Sequence, residues 1–192
     1  TQSLYYGIAR IVGGTNIYVN YPDWYLFLER SKFLGIIPYQ FILFVVLFLV
    51  FHFIFEKTVI GRYLRSIGYN KDATRYSGVK VEKVNFSIYL LAGITASLSA
   101  LIYLSRLPAA MPDIGLSLEL ETITAVVLGG TSIVGGIGSV KGTFLSVLIL
   151  GVLRKGLQLV GLGGDIYSFI LGIVLVACLV SFSYINRRKK VS

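Results

Sequence analysis

In the run "LGVLRKGLQL", Arg154 and Lys155 stand side by side in an otherwise apolar stretch. Two cations in such surroundings either serve a buried polar function or send their long stems out to the membrane interface. Just upstream, Lys141, Gly142 and Thr143 supply the residue types of a nucleotide-phosphate loop in the wrong order. That loop needs glycine before lysine, G-x-x-x-x-G-K-[ST], so ATP binding by this chain is not expected. His52 lies between Phe51 and Phe53 with no carboxylate at helical spacing, and reads as an interface anchor. Glu119 and Glu121 are two apart and would point different ways on a helix. With one histidine and no nucleophile motif, the chain offers no catalytic set, metal site or cofactor site. Cys178 is the only cysteine, so no disulfide forms within the chain, and it reads as small apolar filler.

A second kind of chemistry lies in the backbone. "AVVLGGTSIVGGIGSVKGTF", Ala125 to Phe144, holds six glycines, each costing about 1 kcal/mol relative to alanine inside a helix. Gly129, Gly130, Thr131, Ser132, Gly135 and Gly136 offer a small-residue surface for close helix packing. A broken or re-entrant helix lining a moving pathway is the other reading. The polar stretch Arg62–Val84 also stands out. There Asn70 or Asp72 can start a short helix through Ala73, Thr74, Arg75 and Tyr76, expected over Asp72–Ser77 and closed by Gly78 as a left-handed cap. Such a helix suits docking to a soluble partner; the alternative is a solvated basic loop held near anionic lipid.

The elements that must position these residues follow from composition. Of the 192 residues 55% are hydrophobic and 14% charged, against about 25% charged in soluble domains. The fold class is all-α, a polytopic transmembrane helical bundle forming one domain over residues 1–192. Apolar runs predict about five spans: Ile37–Phe55, Val84–Leu104, Leu120–Gly136, Gly142–Gly161 and Ile166–Ile185. Pro38 suits the first turn of the first of them. The net charge of +9 falls in two blocks, Lys57–Lys83 and Arg187–Lys190. The positive-inside rule therefore explains it better than nucleic-acid binding, and no nucleic acid is expected as a partner. Both blocks are cytoplasmic if the glycine-rich third span crosses fully, which also puts the C-terminus inside. Gly14–Gly35, Arg106–Glu119 and Leu162–Asp165 then lie outside, and Gly138–Lys141 inside. The chain opens on Thr1 within what reads as the end of an apolar segment, "SLYYGIARIV", so an N-terminally incomplete chain is expected.

These pieces resemble the permease subunit of an ABC importer of the ribose/xylose/galactose type. The resemblance rests on Gly61 and Arg62, on Ile67, Gly68 and Asn70, on Ala73, Ser77, Gly78 and Val79, and on the run from Gly129 to Thr143. It covers about Ile36 to the C-terminus. It implies the C-terminal portion of a multi-pass permease in the bacterial plasma (inner) membrane. Its implied partners are cytoplasmic ABC ATPase subunits, a second permease subunit (homo- or heterodimer), an extracytoplasmic solute-binding protein and membrane lipid. Gly68, Asn70, Asp72, Ala73, Arg75, Tyr76, Ser77 and Gly78 would form the segment that touches the ATPase. The glycine run, with Arg154 and Lys155, would let helices pack and shift as access alternates. Two places depart from the pattern: Tyr69 stands where the family often has glycine, and Arg154-Lys155 where it often has a less charged pair. Related permeases carry autoinducer-2, nucleosides or branched-chain amino acids; a non-transporting truncated membrane protein is the reading from another class.

Overall fold

The computed structural model describes the backbone of residues 2–13, 32–33, 37–107, 115 and 118–191, with side chains as far as Phe182. Among them are eight helices and two very short strands. The helices are α1 (Gln2–Gly13), α2 (Tyr39–Lys57), α3 (Val59–Tyr69), α4 (Lys71–Tyr76), α5 (Val81–Ser105), α6 (Leu118–Leu128), α7 (Val140–Leu159) and α8 (Gly164–Val191). The chain divides into two compact units: Thr1–Leu47 with Asn85–Leu116, and Phe48–Val84 with Ser117–Ser192.

In the first unit, β1 (Lys32–Phe33) and β2 (Ile37–Pro38) pair antiparallel, with Phe33 opposite Ile37. Pro38 thus sits in a strand ahead of α2 and not in its first turn. Most of α5 belongs to this unit.

Three helical segments are long and apolar enough to cross a membrane: Tyr39–Lys57, Val81–Ser105 and Gly164–Phe182. They match the first, second and fifth expected spans. Phe53, Phe86 and Val176 on them stay exposed, as lipid- or partner-facing helices require. The third expected span, Leu120–Gly136, does not form one helix. Helix α6 ends at Leu128 after 11 residues, about 16 Å of rise against the roughly 30 Å of a bilayer core. The physical reason is at its C-terminus. Gly130 takes φ +88°; its N–H donates to the Val127 carbonyl (3.0 Å) and that of Thr131 to Val126 (3.2 Å). This is the Schellman arrangement, which satisfies the last carbonyls and stops the helix. Helix α7 has 20 residues but carries Lys141, Arg154 and Lys155.

The second unit holds the core. Helix α6 packs mainly on α8 and on α7. Ala125, Leu150, Tyr167 and Leu171 form a buried cluster, with Leu120, Leu128, Leu153 and Leu157 packed around it. The polar stretch contains one more helix than expected. The spacing of Val59, Ile60, Tyr63, Leu64 and Ile67 gives α3 an apolar stripe. Of the expected loops, residues 14–31 and 108–114, with Pro108, Pro112 and Asp113, lie outside the described residues. The basic tail continues α8 as helix to Val191.

Candidate functional site

The Glu56–Lys83 stretch is a built segment. Thr58 separates α2 from α3, and its hydroxyl donates to the Ile54 carbonyl at 2.6 Å. Arg65 reaches back from α3, donating to the Phe55 carbonyl at 2.9 Å and pairing with Glu56 at 3.1 Å. It thereby occupies one of the carbonyls that a helix end leaves without a partner. Gly61 is buried, and a Cβ there would run into the Phe55 carbonyl. Only glycine lets α3 fold this closely over the end of α2.

Helix α4 runs over Lys71–Tyr76, one residue earlier at each end than expected. Asn70 is its N-cap: its side-chain oxygen accepts from the Ala73 N–H at 3.0 Å, a contact usually worth about 1 kcal/mol. Asp72 lies in the first turn, where its charge suits the helix dipole. Thr74 is buried, and its hydroxyl donates to the Asn70 carbonyl at 2.8 Å. Ser77 is the C-cap and Gly78 follows at φ +83°. Arg75 pairs with Glu82 in the first turn of α5. Tyr76, in contrast, is 91% exposed.

The glycine run is a turn with two backbone seats. A Cβ on Gly129 would collide with the Gly142–Thr143 backbone, so α6 and α7 cross there in backbone contact. Ser139 caps α7, its hydroxyl accepting from the Gly142 N–H at 3.1 Å. Within the turn, the Ser132 N–H donates to the Ile137 carbonyl at 2.9 Å, and Thr131 lies near Gly138. The second seat holds the end of α3. A Cβ on Gly68 would strike the Gly136 backbone, and one on Gly135 would come 2.8 Å from the Gly68 carbonyl. Gly135 and Gly136 take φ +105° and +78°. The Tyr69 ring lies over Gly136, 2.9 Å from where a Cβ would be. Gly130 faces open space, so its role is in ending α6. The structure therefore brings Gly68 together with Gly135 and Gly136, two groups 67 residues apart by number at their nearest.

At the other end of α6 and α7 a polar cluster forms. Arg154 donates to Glu121 Oε2 at 3.0 Å, and the Tyr167 hydroxyl donates to Glu121 Oε1 at 2.8 Å. The Arg154 guanidinium also lies 5.5 Å from the Tyr167 ring centroid, a cation–π distance. The adjacent cations thus divide: Arg154 turns inward and Lys155 stays exposed. Glu121 and Tyr167 were not marked by any local motif. Their signal was topological, since antiparallel neighbours set the start of the third and fifth runs beside the end of the fourth.

His52 stacks on Phe48 at 5.8 Å, and Phe48 meets Phe144 at 4.2 Å. Its Nδ1 is buried with no hydrogen-bond partner among the described residues.

Apolar helices long enough to cross a bilayer, with a capped segment between two of them, mark a multi-pass membrane chain. Over residues 2–179 it matches the family described as branched-chain amino acid transport system / permease component, and it belongs to that family. It is 44% identical over 147 residues to the ribose import permease protein RbsC of Bacillus subtilis (strain 168), covering 77% of this chain and 45% of that protein. To RbsC of Escherichia coli (strain K12) it is 40% identical over 131 residues, 68% of this chain and 41% of the relative. To the autoinducer 2 import system permease protein LsrD of Enterobacter sp. (strain 638) it is 35% identical over 177 residues, 92% of this chain and 54% of the relative. The chain spans about half the length of the curated relatives it matches. No solved structure matches it significantly.

Proposed function

We propose that this chain forms part of the membrane pathway of an ATP-driven importer for a sugar or similar small polar solute, in the bacterial inner membrane. ATP hydrolysis belongs to cytoplasmic partner subunits. A second permease subunit and an extracytoplasmic binding protein complete the assembly. Family membership and the ribose permease relatives support this reading. Similarity to the autoinducer 2 permeases over most of the chain favours a second solute for the same machine.

The observation that carries the mechanism is the seat between Gly68 and the Gly135–Gly136 backbone. An importer must turn closure of its ATPase dimer into helix movement, and a floppy loop would absorb the displacement. Here α4 is capped at both ends and joined to α3 through Asn70 alone, and α3 rests on the turn joining α6 to α7 without a side chain between them. A push on α4 passes by backbone contact into that helix pair. The two most exposed large apolar side chains among the described residues are Val134 (92%) and Tyr76 (91%). One is at the tip of the glycine turn and the other on α4. Both suit a surface that a partner covers. Contact between the basic segment and the glycine turn also supports placing both on the cytoplasmic side; for the C-terminus the same side is supported by the basic tail Arg187–Lys190.

The test is retention of the ATPase subunits on the purified permease. Truncating a central interface anchor commonly costs 2 kcal/mol or more. Tyr76→Ala with Val134→Asp is expected to cut co-purified ATPase at least tenfold, with membrane insertion unchanged. Full stoichiometric ATPase on that variant would leave the segment a solvated, lipid-facing loop.

A further inference from the structure

Beside the Glu121–Arg154–Tyr167 cluster is a cleft of about 480 Å³, mouth included, which these residues share with Gln158, Gly163 and Ser168. We propose that this cleft receives a neutral, hydroxyl-rich solute, a subsite of the pathway at the end of α6, α7 and α8 away from the glycine turn. The inference rests on reading the chain as a solute permease.

Three observations carry it. First, an ion pair whose side chains stay 41% and 24% exposed adds little stability. Holding three helices together does not by itself account for three polar side chains meeting inside a bundle. Second, the charges are balanced within the cluster. Both oxygens of Glu121 are engaged, one by Arg154 and one by Tyr167. An ammonium group would have to displace one of them, and a carboxylate would bring a second negative charge against Glu121. A hydroxyl asks for neither exchange. Third, the rest of the wall suits such a solute. A guanidinium has five N–H donors, and one is used on Glu121. Gln158, one turn beyond Arg154, brings an amide that both donates and accepts. The Ser168 hydroxyl donates to the Gly164 carbonyl at 3.1 Å and retains acceptor capacity. Gly163 and Gly164 leave the backbone open to close approach, and Leu157 and Leu171 give an apolar wall for C–H groups.

The test needs no ATPase activity. In the purified transporter with Cys178→Ala, Ser168→Cys places a thiol in the cleft wall with little change of shape. Its labelling rate by a small maleimide is measured alone, with millimolar D-ribose and with millimolar L-leucine. Ribose is expected to slow labelling at least fivefold and leucine to leave it unchanged. Adding Gln158→Leu, which spares the ion pair, is expected to abolish the ribose effect. Equal rates with and without ribose overturn the proposal, as does protection by leucine or ribose protection that survives Gln158→Leu. ATPase co-purification is read on the same preparations. Loss of protection with ATPase bound counts against the cleft alone, and protection without bound ATPase counts against the importer assembly alone.

Discussion

At one end of the α6–α7 pair, Gly129 lies against the Gly142–Thr143 backbone and Gly68 against that of Gly136. At the other, Arg154 reaches Glu121 at 3.0 Å and Tyr167 completes the contact at 2.8 Å. The first end is closed by removing side chains, the second by polar ones. The difference suits two tasks. Backbone contact has no rotamers to absorb a displacement, so it transmits. A polar cluster has hydrogen bonds to exchange, so it can respond to what enters beside it.

The largest expected effect is at Gly136, where strain and contact coincide. Gly136→Ala places a Cβ on a left-handed backbone, costing about 1–3 kcal/mol, and drives it against the Tyr69 ring. The purified transporter should lose several degrees of thermal stability, and Tyr69→Gly should restore part of it. An unchanged midpoint for Gly136→Ala would mean that the seat does not exist as described.

Arg154→Ala is expected to cost less. The pair is only partly buried, with side-chain exposures of 41% and 24%, so the roughly 3–5 kcal/mol for breaking a fully buried pair is an upper bound. About 1–2 kcal/mol is expected, with half or more recovered when Glu121→Gln removes the stranded charge. A double variant as unstable as the sum of the single ones would show that the groups act independently.

Gly130→Ala separates strain from contact, since φ is +88° and the space is open. It should cost about 1 kcal/mol and leave uptake per ATP unchanged. A coupling defect there would blur the line drawn between the helix stop and the seat.

Much of the glycine end was legible in the sequence. Six glycines in one apolar run demand a backbone purpose, and Asn70 with Gly78 marks a capped helix by local hydrogen bonding alone. What the glycines touch was not legible. Gly68 and Gly136 meet through tertiary packing, and apolar periodicity could not show that α6 stops at Leu128, because a left-handed glycine ends a helix without changing its hydropathy. The polar end was less legible still. Arg154 was conspicuous as a charge in an apolar run, but its partners come from the first turns of two other helices. Helix α3 was overlooked because its arginines masked an apolar stripe at helical spacing.

On the proposed reading, the Gly68 seat carries displacement from α4 into α6 and α7. Gly68→Ala isolates it, because the backbone there needs no left-handed conformation and the atoms nearest the added Cβ belong to the Gly136 and Gly135 backbone. The decisive measurement is solute taken up per ATP hydrolysed in proteoliposomes, with bound ATPase quantified in the same sample. Gly68→Ala is expected to lower that ratio fivefold or more with the ATPase still bound at full stoichiometry. A wild-type ratio with full ATPase binding would contradict it.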